Sequence, residues 1–155
     1  SHVDDSLEAA RVRLQQILSS GRALECFRQN IEAQGGDPRV CDDPGGFLPL
    51  AAESFKVESP RSGFVIKVNT AEIGHAIASI GGGRVRIDDT IDPTVGFIAE
   101  VRIGDRVTDR AALGTVFCRD ETRAREAAER IQAAYQIGDQ SPSDIPLLMR
   151  EVINE

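Results

Sequence analysis

A chain of 155 residues, 41% hydrophobic and 28% charged, can bury roughly 70% of its unfolded surface and needs no disulfide or metal staple to fold. Its formal net charge of −7 argues against a general nucleic-acid or anionic-membrane surface, because such surfaces work through net positive potential. The length fits one domain, or one compact domain with a helical attachment.

The pattern begins helical. Asp4 or Asp5 can cap a first helix on which Leu7, Ala10, Leu14, Ile17 and Leu18 share one face. Gly21 either ends that helix or forms its junction with a second, which carries Leu24, Phe27 and Ile31 and closes at Gly35-Gly36. These two helices, within residues 1–36, read as an attachment that packs on something else. Residues 37–53 hold Pro38, Pro44, Gly45, Gly46 and Pro49 and read as a connecting loop with little regular structure. The third segment, 54–155, opens with strands. Phe55 and Val57 alternate with charges, and after a turn at residues 59–63 comes the strand Phe64 to Val68. Asn69 or Thr70 can cap a short helix bearing Ile73, Ala76, Ile77 and Ile80, which the triple glycine Gly81-Gly82-Gly83 ends.

Gly96 to Arg102 alternates as a strand, Ile103 to Arg106 reads as a turn, and Leu113 to Cys118 as a further strand. Asp120 caps a long helix whose buried side carries Ala124, Ala127, Ala128, Ile131, Ala134 and Tyr135 and which Gly138 ends. Asp144, with Pro146 in the first turn, opens a last helix from Ile145 to Ile153. The order is helix, helix, strand, strand, helix, strand, strand, helix, helix. That is an α+β pattern rather than repeating βαβ.

The most conspicuous stretch is Ile80 to Arg102, where three glycines are followed by Asp88, Asp89 and Asp92. A phosphate cradle would set its glycines before a helix, so that free N–H groups and the positive dipole end face the anion. Here they follow one, so Arg84 and Arg86 gain no such partner, and the expected role is a helix stop with close backbone packing. The aspartate spacing does not match a calcium loop, and turn duty is the expectation. From Gly96 to Cys118 the chain has the shape of the hairpin in lipoyl and biotinyl carrier domains. A carrier needs a lysine on the hairpin tip, whereas the two lysines, Lys56 and Lys67, stand elsewhere and neither is flanked by methionine. His75 falls off the apolar face of its helix and is expected to be a partly exposed helix residue. Ser19, Ser20 and Ser79 lack a G-x-S-x-G setting. Cys26, Cys41 and Cys118 show no C-x-x-C spacing and are expected to be reduced thiols. With His2 and His75 far apart and no cysteine cluster near either, no zinc site is expected. No apolar run approaches the ~20 residues of a membrane span, and no signal peptide is read.

One set of strings, in order, carries a resemblance: Ala23-Leu24-Glu25-Cys26-Phe27, Ala33-Gln34-Gly35-Gly36-Asp37, Gly63-Phe64-Val65, Gly81-Gly82-Gly83-Arg84, Asp89-Thr90-Ile91-Asp92 and Val95-Gly96-Phe97. Together they resemble the C-terminal part of the pyrimidine-nucleoside phosphorylases, bacterial thymidine phosphorylase in particular. The G-G-G-R and D-T-I-D-x-x-V-G-F strings are the specific ones. The resemblance runs from about Leu7 to the last residues.

It implies an α/β-hammerhead-type C-terminal domain with flanking helices. It also implies a cytoplasmic homodimeric parent enzyme that converts thymidine and phosphate to thymine and 2-deoxyribose 1-phosphate. The family's phosphate loop and the residues that grip the base lie in its N-terminal half, and none of those motifs occurs here. The resemblance therefore carries over no catalytic, cofactor-binding or metal residue. It makes this chain a fragment with a structural and cleft-closing role, whose first two helices belong to the neighbouring α/β domain. The absence of an initiator methionine before Ser1-His2 fits that expectation. The alternative is a stand-alone binding or oligomerisation module, with Leu7, Leu14 and Leu18 as its partner surface.

Overall fold

Helix starts and stops written into the local sequence set the first part of the fold. A computed structural model describes residues 6–145, and the chain divides into two compact units, 1–49 and 50–155. In the first, α1 spans Leu7–Ser19. Its cap is Ser6 rather than Asp4 or Asp5, which lie outside the described residues. The Ser6 hydroxyl accepts the Ala9 N–H at 3.1 Å, satisfying one donor of the open first turn.

Gly21, at φ +78°, is the junction from which α2, Arg22–Ala33, starts. That helix ends at Gly35, again at φ +78°. The Gly36 N–H donates to the Ile31 carbonyl at 2.9 Å, and the Gly35 N–H to Glu32 at 2.9 Å. This is the paired bonding of a left-handed helix end.

The expected unstructured loop from residue 37 instead contains two short helical turns, a 3₁₀ turn Pro38–Cys41 and α3, Pro44–Phe47. Both begin with Asp-Pro. Asp37 and Asp43 cap them, accepting the N–H of Arg39 and Gly46 at 3.0 Å each. Each proline sits in the first turn, where no N–H is needed. Reading proline only as a breaker missed this. No described residue of the first unit is buried.

The second unit holds all the buried apolar residues described. Its strands are β1 (Glu53–Glu58), β2 (Gly63–Val68), β3 (Gly96–Ala99), β4 (Arg106–Val107), β5 (Ala112–Cys118) and β6 (Tyr135–Gly138), with helices α4 (Thr70–Ile77) and α5 (Glu121–Ala134). They form two antiparallel three-stranded sheets, ordered β1-β5-β3 and β4-β2-β6. The architecture is α+β. The successive strands β1 and β2 part company at the 59–63 turn and enter different sheets.

Two expected elements change length. The strand from Gly96 stops at Ala99 instead of reaching Arg102, because the chain then crosses to the other sheet. There the Gly104 N–H donates to Val65 O at 2.8 Å and the Val65 N–H to Asp105 O at 2.9 Å. Gly104, at φ +98°, makes the expected turn. The long helix stops at Ala134 instead of running on to Gly138. Residues 135–138 become β6, paired with β2 in the register Val68↔Tyr135 to Phe64↔Gly138. Non-local ladder bonds there override a helical continuation. Of the last expected helix, residues 146–153 lie outside the described residues.

α5 packs on β1, β5 and α4 through Ala124, Ala127, Ile131 and Ala134. Small alanines let its axis approach the sheet, where Val57, Val65, Leu113 and Val116 complete the core.

Candidate functional site

The Gly81–Asp92 stretch is built on the end of α4. The residues that follow it, Ala78–Gly82, form a π turn, and Gly81 takes φ +109°, a conformation that stops the helix. The next two glycines are needed for proximity. A Cβ on Gly82 would stand 2.6 Å from Ile77 Cγ2 and 3.1 Å from the Val95 carbonyl. One on Gly83 would stand 3.1 Å from Ala78 Cβ. The triple glycine therefore stops a helix and packs against its last turn, as expected. Arg84 and Arg86 are exposed beyond it, at the negative end of the helix dipole, which disfavours an anion.

The three aspartates do not converge. The Asp89 carboxylate accepts the N–H groups of Val85 (3.0 Å) and Arg86 (2.7 Å), tying the loop onto itself. Asp92 is the better-held group. One carboxylate oxygen accepts the Thr94 N–H at 3.0 Å and the Thr94 hydroxyl at 2.7 Å. The other accepts Arg119 Nε at 2.6 Å. The Asp92 N–H in turn donates to Gly81 O at 2.9 Å. Hydrogen bonds from Thr94, then from Arg119, lower the Asp92 pKa to about 2. Asp88 is exposed on the same loop.

Arginines that the sequence reading did not single out complete the arrangement. Arg123 donates to the Ser79 carbonyl. Arg130 grips Glu72 Oε1 through Nε (3.0 Å) and Nη2 (2.6 Å) and reaches Ser79 Oγ at 3.3 Å. The Arg130 hydrogen bonds lower the Glu72 pKa. With Arg119, these side chains fasten α4 and the following loop to β5 and α5. The only sequence signal was the placement of Arg123 and Arg130 off the alanine face of α5; Arg119, just before that helix, had none.

The other candidates lie apart. His75 is exposed, with Nδ1 3.9 Å from Glu72. The hydroxyls of Ser19, Ser20 and Ser79 donate back to carbonyls of their own helices. Lys56 and Lys67 stand within β1 and β2, opposite Thr115 and Gln136, and not at a hairpin tip. The two legs of the carrier-like hairpin do pair, as β3 with β5, but the chain between them crosses to the second sheet. All three cysteines are free thiols: Cys26 exposed, Cys41 half-buried and Cys118 buried. Among the described residues no group of three or more His, Cys, Asp or Glu could hold a metal, and no helix is long and apolar enough to cross a membrane.

Chemically, this region clamps. Asp92 and Glu72 are held ionised by their partners, which suits a fixed charge and not a proton carrier working near neutrality. Burial raises the Tyr135 phenol further above neutrality. The second feature of the unit is a groove of about 460 Å³ beside β3, walled by Val68, Ile73, Phe97, Val101, Tyr135 and Ile145. Its walls are almost wholly apolar.

The glycine-stopped α4, the Asp92 clasp, the crossed β3–β5 pair and α5 with β6 all fall inside one stretch that matches a family model. Residues 64–138 match the model of the pyrimidine nucleoside phosphorylase C-terminal domain, so this stretch of the chain is similar to the C-terminal portion of a pyrimidine nucleoside phosphorylase.

Proposed function

We propose that the chain is the C-terminal part of a thymidine phosphorylase-like enzyme and that its own role there is structural. In this reading the intact cytoplasmic homodimer converts thymidine and phosphate to thymine and 2-deoxyribose 1-phosphate. Rate would come from positioning phosphate and stabilising the leaving pyrimidine, in domains N-terminal to this one. Residues 54–155, hammerhead-like in type, brace the phosphate domain and limit closure of the cleft. Residues 1–36 belong to the adjacent α/β domain, with 37–53 as the connection.

The supporting observation is the family match over 64–138, joined to a stripe of leucines on α1. Leu7, Leu14 and Leu18 are 76%, 60% and 69% exposed, which suits a helix whose apolar face is covered by other parts of an enzyme. The test is thymidine phosphorolysis by the purified 155-residue chain. No turnover is expected, and clear turnover would overturn the structural role.

The same stripe supports a second reading, a stand-alone oligomerisation module. Light scattering over a range of concentrations separates the two, since a tight oligomer with protected α1 and α2 amides favours the second.

A further inference from the structure

The apolar groove beside β3 holds one polar group that the fold does not use. Its apolar walls come from both sheets, from α4 and from the chain after β3: Val68, Ile73, Phe97, Val101 and Ile103. Tyr135 also lines it and is only 6% exposed. Its phenol makes no hydrogen bond to any described residue. Among those residues no fully enclosed side-chain oxygen or nitrogen lacks a partner. The Tyr135 oxygen therefore keeps accessible surface, and the open space that Tyr135 lines is the groove. A hydroxyl placed so far out of water is costly unless something bonds it.

The group is held in place. Tyr135 is the first residue of β6, directly after α5, and pairs with Val68 of β2. The Asn69 N–H donates to the Ala134 carbonyl at 2.9 Å, which fixes that junction. A volume of about 460 Å³ suits a small molecule, and small-molecule sites join apolar walls to a few placed polar groups. The other polar residues of the wall, Thr70 and Arg102, are exposed, and Arg102 faces Asp105 at 4.0 Å. A charged ligand would lose its hydration against these walls and find no buried counter-charge. Burial keeps the phenol protonated near neutrality, so it is a donor. We propose that the groove binds a small neutral molecule with an apolar body and one carbonyl oxygen, which accepts the Tyr135 O–H. This assignment is independent of what the parent enzyme does, so a failed phosphorolysis reading leaves it standing.

The test titrates the full chain, watched by NMR, with two matched probes. Benzophenone and diphenylmethane differ only in a carbonyl against a methylene. The amides of Phe97 to Ile103, and of Val68, Ile73 and Tyr135, are expected to shift and saturate. Benzophenone should bind about fivefold tighter, the effect of one net hydrogen bond. Tyr135→Phe keeps the ring and should bind both probes with equal affinity. The comparison of probes on the unmodified chain does not depend on that variant folding. Absence of a saturable shift at these amides would overturn the proposal. So would equal binding of the two probes by the unmodified chain, or a carbonyl preference that survives Tyr135→Phe. Tighter binding of diphenylacetate than of benzophenone would also sink it, since the ligand would then be an anion.

Discussion

At the scale of single residues, the stretch that looks most like a ligand site is held together by its own carboxylates. Asp92 has the clearest consequence. Its pKa of about 2 in the folded chain is below the ~3.9 of an unfolded aspartate. The folded state therefore binds its proton less readily. The stabilisation is complete above about pH 4 and is lost as pH falls from there through 2. Asp92→Asn should lower the melting temperature at pH 6, and the gap to the parent chain should close as pH approaches 2. A gap that stays constant down to pH 2 would show that Arg119 and Thr94 do not hold this carboxylate. Gly114 supports a second expectation. A Cβ there would lie 2.4 Å from Phe97 Cζ and 2.5 Å from the Ile98 carbonyl. Because backbone cannot swing aside as a side-chain end can, Gly114→Ala should cost about 3 kcal/mol, the upper end for overpacking. Chemical denaturation measures it, and a loss under about 0.5 kcal/mol would mean that β3 and β5 separate easily.

At the scale of elements, what was legible in the sequence was local. Asp120 accepts the Arg123 N–H at 2.8 Å as the cap of α5, Asn69 caps α4, and Gly35 ends α2. All three follow from residues within a turn of one another. The Gly81–Gly83 stop was legible for the same reason. What was not legible depended on chain far away. Tyr135 to Gly138 turns from helix to strand only because β2, some seventy positions earlier, offers a free edge. The strand from Gly96 is cut short because Gly104 and Asp105 bond to Val65. Arg119 finds Asp92 across 27 positions, so the clasp could be suspected from composition but not drawn. The same distinction ranks the forces on α5. Its cap is a surface contact, so Asp120→Ala should cost about 1 kcal/mol. Ile131, fully buried against the sheets, should cost about 2–5 kcal/mol when cut to alanine, since the cavity adds to the lost transfer energy. Denaturation midpoints at constant slope give both values. A larger loss from the cap than from the core would mean that packing does not hold this helix.

At the scale of the whole molecule, the two units differ in how they can be stable. Every buried apolar residue described lies at Ala51 or beyond. In the first unit, α1 and α2 are 13 and 12 residues long, a length at which isolated helices are marginal in water. Local bonds such as the Arg28 grip on Asp42, at 2.7 and 3.0 Å, are exposed and worth little alone. The cooperative transition of the chain should therefore belong to residues 50–155. Removing residues 1–49 should leave its melting temperature within about 2 °C, since the ~4–8 °C that each kcal/mol moves a domain of this size requires buried contacts to be lost. In the full chain, Leu14→Asp should be equally silent, because Leu14 is exposed. In the intact parent enzyme the same substitution should destabilise, if α1 docks there through its leucine stripe. Differential scanning calorimetry on the three chains decides the matter. A fall of 10 °C on removing residues 1–49 would mean that the helices share the core of the second unit, and the leucine stripe would then need no partner outside this chain.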